Sequence, residues 1–344
     1  MHNLKDQLEI FGVQEVIRRA EMEPVPTTQK RRAIRRIETM HEMMTELPGT
    51  EDLSFLHSGF CQTCLPHSRP ADDSHVWRRT SGRFSLIVSP GFIEDHKPGT
   101  HASAGSGIRY VGVPYGSRAR LIMIHLQSEG VKSPAVSLGK SLSAFLRSLG
   151  LSVTGGARGS INAIREQSLR IARCGITMQW SENQTDGSRR IVMADTRIVE
   201  GLDLTYKQTG DEWSSVVHLS QTFHEHLKEH AVPLDKRGIS YLSGNSLGLD
   251  LYCLLAHRLP RLNNNLHLRW VALQSQIGST EQAGFSLAQR IREVMPDVMT
   301  AYPEAKVEVT SHGLLLKPSL PAVPKTMVKG FRLMDGRSLI ERSA

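Results

Sequence analysis

Apolar residues recur at helical spacing in two separated stretches of the chain, and each stretch predicts the same succession of elements. In the first, Leu121, Ile122, Ile124 and Leu126 predict a mostly buried helix over 118–130. Val136-Ser137-Leu138 reads as a short extended piece, and Leu142, Phe145, Leu146 and Leu149 line one face of a helix over 140–149. Gly155-Gly156 marks a turn before a longer helix over about 159–173; 175–180 and 190–194 then read as hairpin strands around a polar tip at 183–187. In the second stretch a helix is predicted over 245–259, a strand over 266–270, a short helix over 271–277 and a loop over 278–284. A long helix over 285–302, with a kink expected at Pro296, leads into a hairpin of 306–309 and 314–316 around Ser311-His312-Gly313.

Helix, strand, helix, turn, helix, hairpin is the order of a winged helix, a helix-turn-helix with a β-hairpin wing. Its appearance twice predicts a helix-rich α+β protein of tandem winged-helix domains over 51–200 and 201–318. Residues 1–50 read as a basic helical extension, with helices over 4–21 and 28–46 split by Glu23-Pro24-Val25-Pro26. Residues 94–107 read as a mobile loop and 319–344 as a flexible tail.

Charge narrows the partners. Lys and Arg outnumber Asp and Glu by 42 to 34, for a net charge of +8 and a pI near 9.5. Such a field concentrates polyanions at the surface. Lys30, Arg31, Arg32, Arg35 and Arg36 place five cations in seven residues, either a solvated helix face or a phosphate-contacting arm. No window approaches eighteen apolar residues and 1–21 is amphipathic and charged, so a cytoplasmic protein with no membrane partner is expected.

Two glycine patterns invite a nucleotide reading that their context denies. Gly139-Lys140-Ser141 resembles the end of a phosphate loop, but the required earlier glycine position holds Pro134, which has no N–H. Gly155-Gly156 with Gly159 follows a helix, where the dinucleotide fingerprint follows a strand. The glycines fit a tight inter-helix turn with φ > 0 that brings the next helix start close to a phosphate backbone. No cofactor is expected.

The helical wheel then sorts faces. Over 285–302, Leu287, Ile291, Val294 and Val298 form the inward stripe, with Gln289 and Arg292 opposite and Arg290 at the flank. Gln suits adenine and Arg guanine in the major groove. Over 159–173, Ile161, Ile164, Ser168, Ile171 and Ala172 are assigned inward, and Asn162, Glu166, Arg170 and Arg173 outward, with Arg158 at the mouth. The candidate DNA contacts are therefore Arg158, Ser160, Asn162, Arg170 and Arg173 on the first helix and Arg189 and Arg190 on its hairpin. The second unit adds Ser286, Gln289, Arg290, Arg292 and His312, and the extension adds Arg31, Arg32, Arg35 and Arg36.

Catalytic patterns are weak. Cys61-x-x-Cys64 with His57 and His67 would pack four zinc ligands into eleven residues, with no second pair following, so buried thiols are expected instead of a metal site. His224, His226 and His230 crowd one predicted helix, but only His226 and His230 share a face, and neither Tyr241 nor Tyr252 completes a nickase pattern. A metal-dependent origin nickase is therefore a distant alternative, and the chain is expected not to be an enzyme.

Five stretches carry a family likeness: LPHSRP (65–70), VPYGSRARLIMIHLQSEGV (113–131), LGKSLSAFLRSLG (138–150), TGGARGSINAIREQSLRIAR (154–173) and AYPEAKVE (301–308). Together they resemble the plasmid-encoded RepA replication initiators, from about residue 50 to 318. The resemblance implies tandem winged helices that bind repeated sites in double-stranded origin DNA without a catalytic site. It also implies recruitment of host replication proteins, and a homodimer that represses its own promoter. A winged-helix transcriptional regulator without a replication role shares every one of the chain's own features.

Overall fold

The computed structural model describes residues 3–94, 107–139, 141–156, 159–183, 189–206, 213–278 and 284–328. The expected mobile loop therefore falls almost wholly outside the described residues, as do the hairpin tip 184–188 and Lys140 and Arg158.

Two helices open the chain, α1 (Leu4–Met22) and α2 (Thr27–Thr45). Asn3 caps the first by accepting the Asp6 N–H, and Gly12 at φ 74° breaks its helical geometry midway, a conformation open to glycine. The two helices form a hairpin with its own small core of Leu8, Val16, Ala20, Ile37 and Met40.

The body begins with β1 (Leu53–His57), α3 (Ser58–Gln62), β2 (Trp77–Ser81), β3 (Phe84–Ser89) and the short ribbon strands β4 (Phe92–Glu94) and β5 (Ile108–Tyr110). Then follow α4 (Gly116–Gly130), β6 (Ala135–Ser137), α5 (Leu142–Ser148), α6 (Ser160–Arg173), β7 (Gly175–Asn183) and β8 (Arg189–Thr196). A second hairpin, β9 (Val199–Tyr206) and β10 (Trp213–Leu219), leads to α7 (Gln221–His230), β11 (Ala231–Asp235) and α8 (Lys236–Tyr241). The last set is α9 (Ser246–Arg258), β12 (Leu266–Arg269), α10 (Trp270–Ile277), α11 (Gly284–Ala301), β13 (Lys306–Val309) and β14 (Gly313–Lys317). The fold is a helix-rich α+β arrangement, and both expected successions of elements are present.

Their sheets differ. In the second unit β12 pairs with β14 and β14 with β13, so the closing hairpin is sewn to the strand between its helices. In the first unit β7 and β8 join β3 and β2 in one antiparallel sheet, while β6 joins β10 and β9. Strand β3 shows why it forms: Phe84, Leu86 and Val88 are buried and alternate with Ser85, Ile87 and Ser89.

One continuous core links these parts. α9 is apolar nearly all round and buries Leu247, Leu249, Leu251, Tyr252, Leu254 and Leu255. β1 runs antiparallel to β11 across the expected boundary at 200. Residues 319–328, expected as the start of a loose tail, pack against the core through Val323, and Leu320 accepts a hydrogen bond from the Tyr302 hydroxyl at 2.6 Å. α11 continues through Pro296 to Ala301 as one helix.

Candidate nucleic-acid interface

On α11 the periodicity holds. Leu287, Ile291, Val294 and Val298 are buried, whereas Gln289, Arg292 and Glu293 are exposed and Arg290 lies half-buried at the flank. Gln289 donates to Glu293 at 3.0 Å, so a carboxylate shares the face. Arg292 lies over the Trp270 ring, 5.4 Å from its centroid, and reaches the Thr310 carbonyl at 3.5 Å. Trp270 in turn donates its indole N–H to the Ser311 carbonyl at 2.9 Å and its backbone N–H to the His312 carbonyl at 3.1 Å.

The β13–β14 turn is thus tied to Arg292 through one aromatic ring. Gly313 permits this closeness, because a Cβ there would lie 2.1 Å from the Leu268 carbonyl oxygen. His312 is exposed on the turn, and Arg269, paired with Gly313 in the ladder, is exposed at its base. Sequence reasoning missed Trp270 and Arg269; the exposed last position of a short alternating strand was the available signal for Arg269. Ser286 has a side chain outside the described ones.

The inward arc of α6 is rotated from expectation. Ile164, Gln167, Arg170 and Ile171 are buried, and the exposed stripe is Asn162, Arg165, Leu169 and Arg173. Arg170, expected outward, is 3% exposed. Its guanidinium pairs with Asp73 at 3.2 Å and Glu166 at 3.1 Å and donates to the Val113 carbonyl. Asp73 is partly buried, which raises its pKa, but its bonds with Arg69 and Arg170 outweigh this and hold it below the usual carboxylate range. Arg170 therefore fastens α6 to the loops before α4, and Arg165 takes its place on the open face.

The helix start is also spoken for. Ser160, a candidate contact, is buried; its N–H goes to the Thr154 hydroxyl and its own hydroxyl accepts the Thr154 N–H, both at 2.9 Å. The Ile161 N–H goes to the Thr154 carbonyl, so these two N–H groups are not free for a phosphate. Gly156 has φ 82°, as the turn reading requires, while Gly159 is needed for closeness: a Cβ there would lie 2.4 Å from the Thr154 oxygen. Asn162 is exposed and donates back to the Gly156 carbonyl. Arg189 and Arg190 lie on β8, with side chains outside the described ones.

The basic run of α2 divides. Arg32 and Arg36 point at α11, donating to Asp297 at 2.5 and 2.6 Å, and Tyr241 donates to the same carboxylate at 3.0 Å. Arg36 is largely enclosed by this contact, whereas Arg32 makes it from an exposed position. Arg31 and Arg35 are exposed, the latter 5.2 Å from the Tyr241 ring centroid. Between the hairpin, the Arg292–Met299 part of α11 and β13 lies a cavity of about 1030 Å³.

The histidines and cysteines form two further clusters. His226 and His230 share a face, as expected, and the buried His57 joins them. His57 Nδ1 accepts the Gly59 N–H at 3.0 Å, so its proton sits on Nε2 and is donated to His226 Nδ1 at 2.8 Å. A metal-ligating imidazole instead donates from its second nitrogen, and His57 is arranged the other way. Among the described residues Cys64, His67 and Asp250 bring ligand atoms within 4.8 Å of one another. Arg120 already occupies Asp250 at 2.7 Å, and His67 spends both nitrogens on Ser246 and the Ile277 carbonyl. Burial raises the Cys64 thiol to about 12, which disfavours the thiolate a metal needs.

The protein is thus an α+β chain in which two helix–strand–helix–helix–hairpin units each present an exposed helix face carrying arginine. Residues 113–272, from the loop before α4 into α10, match the family model of plasmid-encoded RepA proteins. No curated protein matches the chain in sequence. Two crystal structures are similar in fold. One, of selenomethionine derivatives of domains 2 and 3 of RctB, has 12% identity and a TM-score of 0.42 over 69% of this chain and 83% of that one. The other, of RctB domains 2–3, has 11% identity and a TM-score of 0.40 over 75% and 94%.

Proposed function

We propose that the protein is a plasmid replication initiator that binds double-stranded origin DNA through two winged-helix units, with α11 reading bases and α6 anchoring the backbone. The observation that carries this reading is the coupled set Arg292, Trp270 and the β13–β14 turn. Through Trp270, an exposed arginine and the closing hairpin turn share one support, in the stretch that directly follows and overlaps the family match, as a base-reading helix with a wing would require. Gln289 and Arg292 have the chemistry to pair with base edges, whereas Arg165 and Arg173 on α6 suit phosphate. Support for a plasmid replication role comes from the match to the family of plasmid-encoded RepA proteins. Recruitment of host replication proteins and repression of its own promoter by a homodimer belong to the same proposal.

Footprinting on the plasmid region flanking the gene, joined to a replication assay in trans, tests the reading. An origin fragment should be protected at repeated sites and should replicate when the protein is supplied. Protection without replication would leave a DNA-binding regulator. No protection at all would remove the DNA-binding reading.

A further inference from the structure

The ribbon β4–β5 stands apart from the rest of the surface. Phe92 and Tyr110 are cross-strand partners, and Ile108 lies two residues from Tyr110 on the same face of the pleat. These side chains remain 58%, 48% and 70% exposed, far more than structural packing needs. A cross-strand Phe–Tyr pair contributes only modestly to the stability of a two-stranded ribbon, and exposed apolar patches of this kind mark binding surfaces.

The root of the ribbon is fixed. Gly91, directly before β4, packs so tightly on the last turn of α6 that a Cβ would lie 2.1 Å from the Arg173 carbonyl oxygen. Gly112, two residues after β5, abuts the Arg170 guanidinium, where a Cβ would lie 1.9 Å away. Both strands therefore spring from the C-terminal end of α6. The exposed stripe of that helix continues toward them as Asn162, Arg165, Leu169 and Arg173. That stripe carries one apolar side chain, Leu169 at 37% exposure, and two cations, Arg165 and Arg173, the last at the root of the ribbon. Glu94 is the one acid on this ribbon face.

We propose that this ribbon, with Leu169 and Arg173, is a binding site for single-stranded DNA, in which Phe92 and Tyr110 stack on unpaired bases. The inference rests on the DNA-binding reading above and extends it. Duplex bases are already stacked on one another and offer no free faces. Unpaired bases do, and exposed aromatic rings beside cations are the arrangement that takes them. A chain of net charge +8 favours this occupant over an acidic or neutral protein face only through its backbone phosphates, which Arg165 and Arg173 are placed to meet.

The test uses the full chain with two fluorescent probes, oligothymidylate and a duplex from the footprinted origin. The double variant Phe92→Ala with Tyr110→Ala should weaken oligothymidylate binding by ~tenfold or more, while duplex affinity stays within about twofold. Phe92→Tyr should retain binding, since a ring is kept. Sedimentation of the same variants identifies the competing occupant. An unchanged oligothymidylate affinity, or a loss of self-association in its place, overturns the proposal. Duplex binding by the native chain without oligothymidylate binding defeats this inference alone; binding to neither probe defeats the functional reading as well.

Discussion

Arg36 donates twice to Asp297, at 2.6 and 3.0 Å, and so joins the second helix of the chain to the helix proposed to read DNA. Arg32 completes the set on the other carboxylate oxygen. Burial alone would raise the Asp297 pKa, but the hydrogen bonds from Arg32 and Arg36 prevail and hold it below the usual range. Asp297→Ala should therefore destabilise the docking of α1–α2 by about 2 kcal/mol, the scale of hydrogen bonds to a charged group. Limited proteolysis should cut first in the linker 23–26, with a lowered melting temperature. Unaltered cleavage would mean that the small apolar contacts hold the hairpin unaided.

The same geometry splits the basic run by role. Charge reversal at Arg31 and Arg35 should flatten the salt dependence of duplex binding, by up to about 0.9 in log–log slope per lost phosphate contact. Reversal at Arg32 and Arg36 should instead lower stability. Affinity measured across salt concentrations, next to thermal melts, separates the pairs. An unchanged slope for Arg31 and Arg35 would show that α2 makes no phosphate contact.

On α11, Arg292→Ala should cost roughly 1–3 kcal/mol on the cognate site and relax preference at one base pair. Trp270→Leu should reproduce part of this loss without removing a base contact, because both the Arg292 support and the turn hydrogen bond disappear. Competition against singly substituted sites is the measurement. If Trp270→Leu leaves affinity and preference intact, the ring does not position Arg292.

Helix α6 tests the corrected face. Arg170→Ala leaves Asp73 with Arg69 alone and strips Glu166 and the Val113 carbonyl of a buried donor, and should destabilise the fold by about 1–3 kcal/mol. Arg165→Ala and Arg173→Ala should leave stability nearly unchanged and weaken cognate and random DNA about equally. Thermal melts with binding to both DNAs decide the matter; a stable Arg170→Ala variant with weak DNA binding would restore the sequence-based face.

How far the chain could be read without a structure depended on where each side chain finds its partner. The stripe Leu287, Ile291, Val294 and Val298 is a local, apolar pattern, and α11 follows it closely. α6 misled because an arginine reads as solvent-facing, and its neutralising Asp73 lies 97 residues earlier, in a loop that periodicity cannot place. The same non-locality hid the sheets. Val136-Ser137-Leu138 looked like a short extended piece on its own, yet the strand there, Ala135–Ser137, pairs with β10, some eighty residues on, and the β9–β10 hairpin itself went unread. His226 and His230 were legible as one face, but His57 reaches them only through the β1–β11 ladder.

That histidine cluster gives stability a pH dependence. Burial, then the neighbouring His226 and His230, push His57 well below its usual value of 6.5, and burial and His230 lower His226. Glu229 opposes the shift at His226, and His257 adds to that at His57. The unfolded chain therefore binds more protons than the folded one just below pH 6.5, so stability rises with pH through that window. It is fully present above about 6.5 and is lost as pH falls toward the depressed folded values. The chain of hydrogen bonds gives the reason: a proton on His226 Nδ1 would face the His57 Nε2–H, and the pair would part. His67, held to about 4 by burial and Arg120, contributes in the same direction. Melting temperature should fall between pH 7.5 and 5.5, and His57→Gln should flatten this fall, though it lowers stability at neutral pH. An equally steep fall in the variant would place the pH sensitivity at other groups.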